Sequence, residues 1–183
     1  FALRLQGRLC LHASVVAIEG CAIALMAPSG GGKSTTAAAL AGKGCAMLSD
    51  DVLVIAERVG QQYLAQPGIP WVRLCPDAVN VPEAAWLAKH NDIGERKHTI
   101  ALESGGVYRC EQALPLLAVY SAVDTDAELA INALSGAEAF THTLGNLYPG
   151  PSYRLPQQHR VAELTRLRAL LQAVPLRGIS YRR

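Results

Sequence analysis

The sequence predicts an α/β fold on a mixed sheet flanked by helices, and three observations predict it. Short apolar runs of strand character alternate with helical stretches along the chain. A glycine-rich turn joins an apolar strand to an alanine-rich helix at residues 27–35. Tight turns at Glu19-Gly20 and Gly60 call for hairpins, so antiparallel pairs must sit beside the parallel ones. With 183 residues, 50% of them hydrophobic and 17% charged, the chain has the length of one domain (1–183) and the apolar content for a core.

Taken in order, residues 1–5 and 10–18 read as strands, the second forming a hairpin with 21–26 across Glu19-Gly20. Residues 33–43 make an alanine-rich helix that Gly44 stops. A short strand at 45–48 ends in Ser49-Asp50-Asp51. Residues 52–56 and 62–65 flank Gly60 as another hairpin, and Pro67-Gly68-Ile69-Pro70 is a rigid turn before a strand at 71–74. Helical signals return at 82–89, a polar loop follows at 90–97, and 99–102 and 116–122 are strands. Residues 134–144 and 161–174 are helices, the latter with an apolar face at Leu164, Leu167, Leu171 and Val174. Pro175 ends it, and 176–181 return as a last strand. The stretch Leu134-Ser135-Gly136-Ala137-Glu138 resembles the signature of ATP-binding-cassette transporters. No apolar run ending in Asp-Glu follows it, so it reads as a helix start capped by Ser135.

Composition excludes several classes. A formal charge of +2 without a dense Lys/Arg block argues against nucleic acid, and the C-terminal arginines read as a solvated helix face and tail. No apolar stretch approaches the length of a membrane span. The five cysteines are scattered and form no C-x-x-C pair, which fits neither zinc nor a disulfide scaffold. They read as buried thiols in a reducing, cytoplasmic setting. The chain opens at Phe1, and no stretch of it has a targeting pattern.

The segment that carries chemistry is Ala27-Pro28-Ser29-Gly30-Gly31-Gly32-Lys33-Ser34-Thr35. A triphosphate needs backbone N–H groups converging on its oxygens, and side chains in the turn would block that approach. Gly30, Gly31 and Gly32 clear the way and allow positive φ. The helix that follows presents its N–H groups and positive dipole end to the phosphates. Lys33 is placed for the β- and γ-phosphates, and the Ser34 hydroxyl for Mg²⁺. Pro28, Ser29 and Thr35 complete the cradle. The strict pattern is G-x-x-x-x-G-K-[ST], with Ala27 here in place of the first Gly. The sheet is therefore of the P-loop NTPase-like kind, with ATP and Mg²⁺ as cofactors.

Asp50 and Asp51 close the strand after the P-loop helix, where α/β proteins bind ligands. One carboxylate can help hold Mg²⁺ while the other takes a proton from an attacking hydroxyl. His12 lies in an apolar strand, where a histidine is more often a hydrogen-bonded core residue than a catalytic one.

His12, the Ser29-Gly30-Gly31-Gly32-Lys33-Ser34 loop and Asp50-Asp51 together resemble the catalytic domain of HPr kinase/phosphorylase. His12 precedes Lys33 by 21 positions and Asp51 follows it by 18, as in that family's pattern. The likeness is dense from His12 to about Ile55. The chain also resembles short standalone relatives of that kinase found beside peptide-tailoring genes, including lasso-peptide pathways, which carry a Pro-Gly-x-Pro turn like 67–70. The resemblance implies an HPr-kinase-type serine kinase acting on a peptide or small protein. Asp51 would be the general base, Asp50 would support metal or base, and His12 would contact the carboxylate pair or the transferring phosphate.

The family's Glu-x-Arg-Gly segment has no Glu counterpart around Gln66-Pro67-Gly68, leaving Glu83 and Asp77 as nearby carboxylates. The segment tied to dephosphorylation has no counterpart either, so kinase activity without phosphorylase activity is implied. A cation beyond Lys33 is needed on the transferred group, with Arg96 and Lys97 as the first candidates, then Arg73 and Arg154. HPr kinases are hexamers, so homo-oligomers are an implied partner state. Two other readings share the P-loop: a small-molecule kinase, and a nucleotide-binding regulatory module without catalysis.

Overall fold

The chain builds outward from the hairpin of residues 14–26. Strands β2 (Ser14–Ile18) and β3 (Cys21–Met26) pair antiparallel around a two-residue turn, with Glu19 and Gly20 both at positive φ, 49° and 76°. That turn matches the twist of the flanking strands, which is why so short a connection suffices. The computed structural model describes residues 1–60, 62–76, 78, 81–83, 98–102, 108–124, 126–149 and 155–182.

On one edge of the hairpin, β2 pairs with β4 (Ala46–Ser49); on the other, β3 runs parallel to β9 (Leu114–Asp124). β9 in turn runs parallel to β11 (Leu176–Arg182), and β11 pairs antiparallel with β10 (Asp126–Ala133). The first residues of β9 also pair with β6 (Gln62–Gln66). β6 continues the sheet through β5 (Leu53–Val59) to β1 (Leu9–Leu11). β7 (Trp71–Leu74) and β8 (His98–Ala101) form a separate antiparallel pair. The sheet is thus mixed, as expected.

Alternation along β3 decides what each face carries. Ala22, Ala24 and Met26 join the core under α3 (Gly136–Gly145) and α4 (Gln157–Ala173), which includes Ala139, Leu167 and Leu170. Ile23 and Leu25 turn the other way, toward Ala37, Ala38 and Ala41 of α2 (Lys33–Gly42). Gly44, at φ 99°, stops α2 as expected, and Ser135 caps α3 in a reciprocal box with Glu138. No described helix is long and apolar enough to cross a membrane.

Several expectations are corrected. Residues 1–5 hold a helical turn, α1 (Ala2–Leu5), instead of a strand. Its Arg4 is buried against Glu163 of α4, a tertiary pairing that no local alternation reveals. The stretch 10–18 is not one strand. It breaks at His12-Ala13, where His12 N donates to Asn146 O (2.7 Å) and the chain changes partner from β5 to β2's neighbours. β10 was not expected, because Asp126, Glu128 and Asn132 interrupt its apolar pattern as an edge strand tolerates. α4 begins earlier, after Pro156, and its buried face is Glu163, Leu167, Leu170 and Val174, while Leu164 stays 38% exposed. Among the cysteines, all free, Cys10 is buried and Cys75 exposed, so the expectation of uniformly buried thiols fails. The helix and loop expected at 82–97 fall almost wholly on residues 84–97, outside the described residues.

Candidate functional site

β3 delivers the chain into the glycine loop. Gly30 and Gly32 take φ 76° and 81°, conformations open to glycine without strain, and Gly31 N donates to Pro28 O (2.9 Å). Position 31 admits glycine alone on space: a Cβ there would lie 2.7 Å from Ala27 Cβ and 2.9 Å from Pro28 O. This explains the departure at Ala27. The residue is buried and takes no positive φ, so a methyl fits in room that Gly31 leaves. Gly32 is the N-cap of α2 and supplies no capping side chain, so the positive end of the helix opens toward the loop. Lys33, in the first turn, is 8% exposed.

β4 brings in the acid pair. Asp50 is buried, and a buried carboxylate is stable when donors surround it. Three do: Ser14 Oγ (2.5 Å) and Ser34 Oγ (2.9 Å) donate to Oδ1, and Arg73 N (3.0 Å) to Oδ2. One carboxylate therefore ties β2, α2 and β7 to the end of β4. Asp51 is the apex of a three-residue turn closed by Val52 N donating to Asp50 O (2.8 Å), and it takes φ 65°. Its Oδ2 lies 3.7 Å from Arg73 Nη1, with both side chains partly in solvent.

His12 reaches the same place from the break between β1 and β2. Its Nδ1 is 3.0 Å from Asp51 O, and a carbonyl accepts only, so Nδ1 carries the hydrogen. The ring stacks on Tyr148, centroids 6.0 Å apart and planes at 20°. Burial holds the His12 pKa below its ordinary 6.5 and the Lys33 charge lowers it further, against the pull of Asp51 and Asp50. The ring is therefore neutral at neutral pH, with the Nε2 lone pair available.

A cleft of about 330 Å³ lies between the glycine loop and β7, lined by residues 30–35 and by Arg73, Leu74 and Cys75. The acid pair reaches it through Ser34 and Arg73. Lys33, Ser34 and Thr35 line the cleft with Gly30, Gly31 and Gly32, and Pro28 and Ser29 lie on the exposed outer turn. Asp50, Asp51 and His12 are not in its wall; Asp50 adjoins it through Ser34 and Arg73, Asp51 through Arg73, and His12 only through Asp51. Arg73, a secondary candidate from sequence, lines the cleft and lies beside Asp51. Glu83 instead pairs with Lys43 (3.3 Å) on the outside of α2. Asp77, Arg96, Lys97 and Arg154 lie outside the described residues.

Sequence reasoning missed Ser14, Tyr148 and Tyr181, whose hydroxyl donates to Gly31 O. Ser14 carried a signal: a hydroxyl inside a buried apolar strand must find a polar partner. Tyr148 and Tyr181 arrive from distant sequence and carried none. Among the described residues no group of three or more His, Cys, Asp or Glu is placed to cage a metal. The adjoining Ser34 hydroxyl and Asp50 carboxylate are hard oxygen donors, and they suit Mg²⁺, which takes few protein ligands beside phosphate.

Residues 1–83 match the family model described as SynChlorMet cassette protein ScmC, a stretch that takes in His12, the glycine loop, the acid pair and Arg73. Among solved structures, the HPr(Ser) kinase/phosphatase from Coxiella burnetii is similar to this chain. The TM-score is 0.45 at 13% identity, over 95% of this chain and 85% of that one. A likeness of that degree bears on neither activity nor substrate. No curated protein matches the sequence.

Proposed function

We propose that this chain is an ATP- and Mg²⁺-dependent kinase that transfers the γ-phosphoryl group to a serine hydroxyl of a peptide or small protein. The observation that carries the reading is the junction at Asp50. The carboxylate accepts from Ser34 at the head of α2 while its neighbour Asp51 turns out beside Arg73. This supports a reading in which the glycine loop would serve as phosphate cradle, Ser34 and Asp50 as metal-holding oxygens, Asp51 as base and half-exposed Arg73 as the second cation.

Bound Mg²⁺-ATP would supply the phosphoryl group and the metal charge that offsets its developing negative charge. The glycine loop and the head of α2 hold the phosphates, with Lys33 on the β- and γ-oxygens. Ser34 and Asp50 would hold the metal. Asp51 orients the serine and takes its proton as the serine oxygen bonds to γ-phosphorus and the β–γ bridging oxygen leaves with ADP. Arg73, half-exposed and only loosely paired, turns from Asp51 to the transferring group, which frees the carboxylate for the proton. His12 fixes the Asp51 backbone through its Nδ1–H while its ring stays neutral.

The test is transfer of label from γ-labelled ATP with Mg²⁺ to serine-ended peptides, HPr and a panel of small hydroxyl compounds. Wild type is compared with Lys33→Ala and Asp51→Asn. Label on a peptide serine, lost in both variants, is the expected result. Label on a small hydroxyl compound alone would replace the peptide acceptor by a small molecule. ATP binding that survives Asp51→Asn, without transfer to any acceptor, would overturn the kinase reading in favour of a regulatory module.

A further inference from the structure

We propose that the hollow at the carboxyl ends of β3, β9 and β11 seats the flat aromatic base of the nucleotide. The inference rests on the nucleotide-binding reading above and adds where the non-phosphate half of the ligand lies. β3, β9 and β11 are mutually parallel neighbours, and α/β sheets bind ligands beyond the carboxyl ends of such strands.

The hollow measures about 230 Å³, and its walls are Leu25, Tyr120, Ala122, Leu129, Ile179 and Tyr181. Register explains why these residues meet. Leu25 pairs with Tyr120 and Ala122 with Ile179, so the same face of three adjacent strands supplies the floor. Among the described residues α2 packs on β2, β3, β4 and β7, and Leu129 of β10, beyond β11, is 76% exposed.

Two features connect this hollow to the phosphate cleft. Gly31 and Lys33 line both, so a single molecule can occupy the two. The Tyr181 hydroxyl donates to Gly31 O, which fixes that ring against the glycine loop. The chemistry of the two halves differs as the halves of a nucleotide do. One is a turn of backbone N–H groups with a lysine; the other is aliphatic and aromatic wall. Among the described residues, the polar side chains lining the hollow are Lys33 and the hydroxyls of Thr36, Tyr120 and Tyr181. Such a site takes an uncharged heteroaromatic ring by stacking and apolar contact.

The experiment is calorimetric titration of the whole chain, with Mg²⁺, by ATP and separately by inorganic triphosphate. Wild type is compared with Ala122→Phe, which fills the hollow, and Leu129→Ser, which strips a wall at an exposed position. Wild type should bind ATP roughly tenfold more tightly than triphosphate, the order expected of base stacking. Ala122→Phe should bring ATP down to the triphosphate level and Leu129→Ser should weaken ATP to a smaller degree, while triphosphate affinity stays within about twofold in both. Equal affinities for ATP and triphosphate in wild type would overturn the base seat and leave the phosphate cradle standing. So would losses that strike both ligands alike. Absence of binding by either ligand to wild type would remove the nucleotide reading itself, and the base seat with it.

Discussion

Asp51 holds a left-handed backbone, φ 65°, which a residue with a Cβ takes at a cost of about 1–2 kcal/mol. The site repays that cost by aiming the carboxylate at Arg73 and the carbonyl at His12. Asp51→Gly should therefore match or exceed wild type in urea stability, by up to about 1 kcal/mol, yet transfer no phosphate. Asp51→Ala should lose both. A clear fall in stability for Asp51→Gly would mean that the carboxylate, and not the turn, is structural. His12 offers a second test, through pH. Its folded pKa lies below the ordinary 6.5, so as pH falls the unfolded chain takes up the proton first. The stability tied to a neutral His12 is complete above about pH 6.5 and is lost progressively below it, until the folded pKa is reached. Thermal midpoints measured from about pH 7.5 down to 5 should fall for wild type and fall less for His12→Gln. Parallel curves would show that the ring is not held neutral.

At the scale of elements, the turn at Pro67-Gly68-Ile69-Pro70 acts as a strut. Gly68 N donates to Leu48 O (2.8 Å), and a Cβ at 68 would lie 2.1 Å from Ser49 Oγ and 2.8 Å from Ser49 Cβ. The turn thus lies against β4 one residue before Asp50, and β7 leaves it with Arg73 N on the Asp50 carboxylate. Gly68→Ala should cost about 1–3 kcal/mol by overpacking and should also weaken phosphate transfer, because Ser49 cannot move without Asp50. A stability loss in denaturation with unchanged transfer by the folded protein would separate the strut from the site. This turn also marks what sequence can show. Pro-Gly-x-Pro was legible as a turn, as were the 14–26 hairpin, α2 and the Ser135 cap, because each follows from residues within a few positions. The contact with Ser49 was not, since it joins two elements across the fold. The same holds for the break at His12, where the competing partner is Asn146, and for β10, an edge strand whose polar residues hide its period.

At the scale of the whole molecule, two helices 159 positions apart are clamped by one buried ion pair. Arg4 Nε and Nη2 donate to Glu163 Oε1 and Oε2 at 2.7 and 2.8 Å, joining α1 to α4 beneath strand β1. The sequence hides this clamp twice, because 1–5 alternates like a strand and a charged residue does not announce a buried helix face. Among the described residues buried Arg4 Nη1 has no hydrogen-bond partner, so within that set the pair is incompletely satisfied even when intact. Physical chemistry then separates two substitutions that look alike. Glu163→Ala removes the counter-charge and leaves the guanidinium buried, which should cost about 3–5 kcal/mol. Arg4→Met combined with Glu163→Leu removes both charges and the unpaired Nη1, and it should recover most or all of that loss. Urea midpoints for wild type, each single variant and the pair give the comparison directly. The catalytic residues proposed above contact neither Arg4 nor Glu163, so transfer by the folded fraction of the double variant should equal wild type. A double variant as unstable as Glu163→Ala would mean that bidentate geometry, and not relief of buried charge, sets where α1 lies on α4.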